Sequence, residues 1–494
     1  ATNEYHSVYY HIMGTDQSAD ELVYTNKKSP LLYHWAGVSE DEEFLFLYAS
    51  SGTDGYECYF KRTADAGWNF KPLFTGFKNK SNVIHTHKGK FLVMTDIDAP
   101  NYRVVEIDPA APAKKNWKDI IPQEDYLLEG ASTGGGKLFA TYLKNACNKV
   151  YQMEYDGSNR TEIQLPDNTG SAGGFGGPED EDVLYYTFSS FTYPASIYEY
   201  NIKTGETSEF YSPDVKFNPE DFESKQVFYK SKDGTEVSMF IVHKKGLKMD
   251  GTNPTYLYGY GGFNVSLTPW FSTSNIILLE NGGVYAMPNL RGGGEYGEDW
   301  HKAGMLGNKQ NVFDDFIAAA EYLIAEGYTS TEKLAISGGS NGGLLVGACM
   351  TQRPELFKVA FPAVGVMDML RYHKFTVGWG WVPEYGCADS SKTDFDNLYS
   401  YSPLHNLKPG TNYPATMITT ADHDDRVVPA HSFKYAARLQ ACQAGDAPVL
   451  IRIEKKAGHG AGKPTWMIIQ EQADRWAFMF ANMGVEVGEP LKTN

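Results

Sequence analysis

The run Gly338-Gly339-Ser340-Asn341-Gly342-Gly343 is where residue type and spacing first suggest chemistry. A serine within G-x-S-x-G acts as a nucleophile when a strand leads into it and a helix leads away. Residues 333–337 read as a short buried strand, and the chain from Leu344 onward reads as a helix. The sharp turn between them lifts the Ser340 oxygen clear of a sheet. The glycines permit the strained backbone and let the helix pack closely. The Asn341 amide, at the start of the helix, would then point at an oxyanion forming on an attacked carbonyl. The alternative is a Gly-rich turn carrying a passive serine. Four glycines, a strand and a helix in agreement favour the nucleophile.

A serine alone is a weak nucleophile and needs a base and an orienting acid. In this kind of fold they follow in the order Ser, Asp or Glu, His. Of the histidines after Ser340, only His459 lies in a Gly-flanked loop directly after a strand: Ala457-Gly458-His459-Gly460-Ala461-Gly462. His373, His405, His423 and His431 read as packing or surface residues. The acid belongs on the loop after the strand 415–420, which offers Asp422, Asp424 and Asp425. Spacing alone does not choose among these three.

Two kinds of element must position these groups. From 215 on, strands and helices alternate: a hairpin 226–230 and 235–243, strands at 255–260, 284–289, 333–337, 415–420 and 449–454, and helices around 312–323, from 344 and over 466–482. Such alternation builds a mostly parallel sheet covered by helices. Residues 1–214 differ, with short strands, tight turns and no long amphipathic helix. Five strand–turn–strand units recur at 8–23, 57–73, 102–120, 150–163 and 196–210, marked by Tyr9, Tyr59, Arg103, Tyr151 and Tyr198. A spacing in the forties is the mark of a β-propeller, with an irregular sandwich as the alternative. The predicted fold is therefore an N-terminal propeller over 1–214, with ~4–5 blades of a partial ring, followed by an α/β-hydrolase domain over 215–494. The boundary falls in the polar, Pro-containing stretch 214–221.

Composition narrows the remaining choices. A chain of 494 residues suggests two to three domains at ~150 residues each. With 44 basic and 61 acidic residues the net charge is −17, which repels phosphate backbones, so nucleic acid is not an expected partner. Five widely spaced cysteines suit neither a disulfide scaffold nor a CxxC metal site and fit a reducing, cytoplasmic compartment. No apolar run reaches ~18 residues, so no membrane association is expected. The polar start, Ala1-Thr2-Asn3, does not read as a signal peptide and lacks an initiator Met.

Several long strings resemble the prolyl oligopeptidase family. They are Leu257-Tyr258-Gly259-Tyr260-Gly261-Gly262-Phe263-Asn264, Asn289-Leu290-Arg291-Gly292-Gly293-Gly294-Glu295-Tyr296-Gly297, the Ser340 elbow, Gly365-Val366-Met367-Asp368, Asp422-His423-Asp424-Asp425-Arg426-Val427-Val428-Pro429 and Lys456-Ala457-Gly458-His459. They cover the chain from 215 on, and a weaker match begins at His11-Ile12-Met13-Gly14. The resemblance implies a serine endopeptidase that cuts short peptides after proline through an acyl-enzyme. It casts Ser340, Asp424 and His459 as the triad, and Tyr260 with the Asn341 amide as oxyanion donors. It further implies a proline pocket of Phe263, Val366, Trp381, Tyr385 and Val427, and Arg426 as holder of the preceding carbonyl. An apolar aromatic box suits an uncharged ring, whereas basic side chains would need carboxylates. The alternative for Arg426 is a salt bridge to its aspartate neighbours. Two other functions are open: a transpeptidase or macrocyclase using the same acyl-enzyme, and a propeller binding module joined to an inactive hydrolase. The resemblance also implies about two hundred further residues, the first blades among them, before this start. The chain is thus expected to lack them, with a separate N-terminal fragment as one way to complete the fold.

Other signals carry less. Gly134-Gly135-Gly136-Lys137 lacks the Ser/Thr and helix of a P-loop and reads as a blade turn. Gly292-Gly293-Gly294 lacks the ribose-binding acid of a dinucleotide site. His85 and His87, two apart on one strand face, make a metal pair without an evident third ligand. No cofactor and no metal are expected.

Overall fold

The computed structural model describes residues 4–460 and 462–487. Ala461, in the histidine loop, and the first three residues, on which the leader-peptide reading partly rests, lie outside them. The described residues form two compact units. One contains the chain up to 188 with 195–213 and 296–298. The other contains 189–194, 214–295 and 299 onward.

The first unit is built from four-stranded antiparallel sheets that begin at residues 33, 81, 127 and 171, preceded by a hairpin of Ser7–Tyr10 with Glu21–Thr25. Each sheet is a meander whose strands follow in sequence order. The recurring units at 57–73, 102–120, 150–163 and 196–210 are the last two strands of each sheet, and 8–23 is the hairpin. The first two strands of each sheet lie outside the repeat as read from the sequence. Apolar faces of successive sheets pack on one another. The Phe91 ring, fully buried, meets Phe44, Phe46 and Phe60 at centroid distances of 4.9, 5.1 and 5.2 Å, each edge to face. Such pairs add about 0.5–1.5 kcal/mol each beyond area burial. Phe139 and Val150 share a buried cluster with Phe175 and Tyr186, which follow on from the first strand of the fourth sheet. The Gly134–Lys137 stretch closes a hairpin, so its glycines are turn residues.

The second unit is an eight-stranded sheet: β1 (Phe222–Lys230), β2 (Glu236–Lys244), β3 (Thr255–Tyr258), β4 (Val284–Pro288), β5 (Leu334–Gly339), β6 (Val359–Ala363), β7 (Ala415–Ala421) and β8 (Val449–Glu454). Its order is β1-β2-β4-β3-β5-β6-β7-β8, with β2 antiparallel to both neighbours and the rest parallel. The principal helices are α1 (Gln310–Ala325), α2 (Asn341–Gln352), α3 (Ala430–Cys442) and α4 (Thr465–Met483). The α1 helix buries Val312, Phe316, Ala319, Ala320 and Leu323, and Leu344, Leu345 and Ala348 of α2 join the same core. A buried Arg291–Asp315 pair, completed by Ser231 and Asp233, ties α1 to the β1–β2 hairpin and to the loop after β4.

Two boundaries beside the elbow differ from expectation, and two elements are additional. The helix after the elbow starts at Asn341, not Leu344, so Gly342 and Gly343 are helical despite their poor propensity. Close packing explains them: a Cβ on Gly342 would sit 2.6 Å from the Gly259 carbonyl oxygen. Strand β3 stops at Tyr258, releasing Gly259 and Tyr260 into a loop. Strand β6 and helix α3 were not anticipated.

Candidate active site

The candidate residues stand at the carboxyl ends of the central strands, where ligands of open α/β sheets bind. Ser340 links β5 to α2 with φ 59° and ψ −117°. That left-handed φ is costly for a residue with a Cβ, by about 1–3 kcal/mol. Its amide donates to the Ala363 carbonyl of β6 at 2.9 Å, which fixes the turn. Phe263 (φ 58°) and Val364 (φ 41°) are strained in the same way. The Asn341 N–H belongs to the first helical turn, which has no intrahelical acceptor.

Asp424 is buried. One of its oxygens accepts from the amides of Arg426 (3.0 Å) and Val427 (2.9 Å), and the other meets His459 Nδ1 at 2.7 Å. Of the three aspartates, only this one faces the imidazole. Asp422 pairs with His423 (2.6 Å) and accepts from the Lys456 amide (2.7 Å), and Asp425 is exposed. His459 is therefore oriented by its Nδ1 and leaves Nε2 for chemistry. Among the described residues no hydrogen bond joins His459 to Ser340. Burial pushes the Tyr260 pKa up to about 12, against a smaller lowering by Ser340, so its hydroxyl is neutral and able to donate at neutral pH.

The pocket candidates converge in one apolar cluster. Val366, Tyr385 and Val427 are buried in the main apolar core of this unit, and Phe263 and Trp381 pack against that core. The Phe263 ring stands at 89° to Tyr385 with centroids 5.3 Å apart, and Trp381 stacks parallel to Tyr372 at 6.2 Å. The Arg426 guanidinium makes no ion pair among the described residues, so the alternative of a bridge to its aspartate neighbours is absent. Its carbonyl accepts from the Thr376 hydroxyl at 3.2 Å.

A buried polar network beneath these residues escaped sequence reasoning. Lys309 donates to the Gly261 carbonyl (2.8 Å) and to Asn341 Oδ1 (3.1 Å). Asn341 Oδ1 also accepts from the Tyr385 hydroxyl (2.9 Å), while its amide nitrogen donates to the Tyr260 carbonyl (2.6 Å). Glu384 accepts from the Phe263 amide (2.9 Å), meets His301 Nε2 (2.8 Å) and lies 4.0 Å from Lys309. Full burial lowers the Lys309 pKa to about 8, against the opposing pull of Glu384. The Asn341 side chain is thus an internal brace joining the Tyr260 loop, α2 and the aromatic wall. Glu384 has both oxygens engaged. His301, Lys309 and Glu384 are far apart in sequence and form no motif.

A strained serine on an elbow and a carboxylate-oriented imidazole at the carboxyl ends of a mostly parallel sheet are the arrangement of a serine hydrolase of the α/β type. The chain belongs to the prolyl oligopeptidase family. Residues 269–486 match "Prolyl oligopeptidase family", and residues 1–212 match "Prolyl oligopeptidase, N-terminal beta-propeller domain". It is 52% identical over 481 residues to a prolyl endopeptidase of Elizabethkingia meningoseptica, covering 97% of this chain and 68% of that protein. It is 38% identical to a dual function macrocyclase-peptidase of Galerina marginata, covering 97% and 67%. A solved prolyl endopeptidase structure superimposes with a TM-score of 0.94 at 46% identity, covering 97% of this chain and 70% of that one. The expectation that the family's N-terminal part is missing is not borne out at the level of domains, because both the propeller and the peptidase domain match.

No helix among the described residues is long and apolar enough to cross a membrane. All five cysteines are free thiols.

Proposed function

We propose that the protein hydrolyses short peptides on the carboxyl side of proline, with 215–494 as the catalytic domain and 1–214 as a propeller domain. His459 Nε2 takes the Ser340 proton as the serine oxygen attacks the carbonyl after proline. Asp424 holds the imidazole in the tautomer that accepts this proton and stabilises the imidazolium. The Asn341 N–H and the Tyr260 hydroxyl hold the oxyanion. Imidazolium then protonates the leaving amine, and water, activated by the same base, cleaves the ester. Phe263, Val366, Trp381, Tyr385 and Val427 enclose the pyrrolidine ring, and Arg426 binds the carbonyl of the residue before it. Proton transfer requires a hydrogen bond between His459 Nε2 and the Ser340 hydroxyl, a bond of the kind that tightens when substrate binds. The reading places the enzyme in the cytoplasm, where its thiols stay reduced.

The 2.7 Å contact of Asp424 with His459, in the same unit as the strained Ser340, carries this reading. Fluorogenic peptides differing only in the residue before the cut test it. Proline should exceed alanine by a large factor in kcat/KM, and arginine should not be cut. Preference for a basic residue would reject the pocket. The macrocyclase relative keeps transpeptidation in view. Mass spectra of products from a proline-containing precursor separate the two outcomes, linear acids supporting hydrolysis and cyclic products alone overturning it.

A further inference from the structure

In the propeller unit, the first strand of the second four-stranded sheet, Ser81–His87, ends on two histidines. The His85 side chain is 4% exposed. Its Nδ1 faces the Thr133 hydroxyl at 3.3 Å and the Glu40 carboxylate at 3.7 Å. Its Nε2 is buried and has no hydrogen-bond partner among the described residues. An unpaired buried ring nitrogen forfeits the hydrogen bond it had in water, so folds seldom leave one without a purpose. The sequence gives this pair no third partner, but the fold does. One ligand atom each from His85, His87 and Glu179 lie within 4.8 Å of one another. Glu179 comes from the segment between the first two strands of the fourth sheet.

The surroundings favour a cation. The Glu179 amide donates to Glu40 at 2.8 Å, so Glu40 links the backbone of one ligand to the imidazole of another. Asp41 adds a third negative charge near His85. The Tyr155 ring packs over both imidazoles, with centroids 4.9 and 4.6 Å away. Of the two lysines lining the adjoining cleft, Lys88 and Lys90, the second is neutralised by Glu106 at 2.6 Å.

We propose that His85, His87 and Glu179 form a binding site for a transition-metal ion of the Zn²⁺ or Co²⁺ type, which clips the second sheet of the propeller to the fourth. Two imidazoles and one carboxylate suit Zn²⁺ and leave a fourth position for water, whereas Ca²⁺ and Mg²⁺ prefer all-oxygen sites. Bonds of ~2.0–2.2 Å require the three ligand atoms to draw in by about an ångström. Half-buried His87 and exposed Glu179 have room to do so. His85 supplies Nε2, and its Nδ1 hydrogen turns to the Glu40 carboxylate, an outer contact that commonly fixes metal-bound histidines.

The test uses the full chain, stripped with a chelator and free of any affinity tag. Zn²⁺ titration by calorimetry, Co²⁺ absorption in the visible range and thermal melts with and without Zn²⁺ are the readouts. The wild type should bind one ion per chain, show tetrahedral Co²⁺ bands and melt at a higher temperature with Zn²⁺. Both His87→Ala and the surface substitution Glu179→Gln should weaken binding by at least about 100-fold, and Glu40→Gln by about 10-fold. His11→Ala, in an exposed pair with Asp20 elsewhere, should change nothing. Absence of saturable binding by the wild type overturns the site, as does unchanged affinity in Glu179→Gln.

Discussion

Replacing Asp424 by asparagine exchanges one oxygen for an amide nitrogen and barely alters volume. The structure dictates which way the new side chain must face. One carboxylate oxygen accepts from the Arg426 and Val427 amides at 3.0 and 2.9 Å, so only the asparagine carbonyl can occupy that place. The NH₂ group is left opposite His459 Nδ1, where a carboxylate oxygen sits at 2.7 Å. Two donors cannot face each other, so the imidazole must accept at Nδ1 and carry its proton on Nε2. Nε2 can then no longer take the Ser340 proton. The same wrong-tautomer argument in a serine protease triad corresponds to a loss of about 10⁴ in kcat, or roughly 5.5 kcal/mol of barrier. Folding should survive, because both backbone hydrogen bonds persist. Stopped-flow hydrolysis of a fluorogenic proline peptide, with a urea melt as the folding control, measures both quantities. A well-folded Asp424→Asn enzyme within tenfold of wild type would refute the assignment of Asp424 and the tautomer reasoning.

Tyr260→Phe removes the proposed second oxyanion donor and should lower kcat by about 10²–10³ with little change in KM; unchanged steady-state kinetics would reject the role. Lys309→Met takes the cation from a buried network and leaves Glu384 with less compensation, so urea unfolding should show a loss of about 3–5 kcal/mol; a loss under 1 kcal/mol would mean the network is not coupled. Burial lowers the His431 pKa to about 4, so the native state binds fewer protons than the unfolded chain between pH 6.5 and 4. Stability should therefore fall as pH drops through that window, by roughly 3 kcal/mol from this group. His431→Asn, which keeps an acceptor for the Asp368 amide, should flatten the fall in the urea midpoint, and an identical fall would contradict it.

The elbow was legible because strand, glycines and helix are local and contiguous. The histidine loop and the acid loop stood out for the same reason. The choice among Asp422, Asp424 and Asp425 was not legible from spacing, because it depends on which carboxylate turns inward to meet the Arg426 and Val427 amides. In the propeller, the sequence repeat marks the last two strands of each sheet. The second strand of the first sheet, Phe44–Ser50, is buried almost throughout and lacks a clear polar alternation. Strand β6 carries Pro362, which argues against a central strand, yet it pairs with β5 opposite Gly338. Lys309, His301 and Glu384, like Glu179 beside His85, are ordinary residue types far apart in sequence, and only long-range packing joins them.

The central claim is that Ser340 forms the acyl-enzyme. Intact-mass spectrometry after treatment with a fluorophosphonate, followed by peptide mapping, tests it most directly. The account predicts one adduct per chain, located on Ser340 and absent from Ser340→Ala. A wild-type enzyme that cleaves proline peptides yet takes up no adduct, or carries it on another residue, would contradict it.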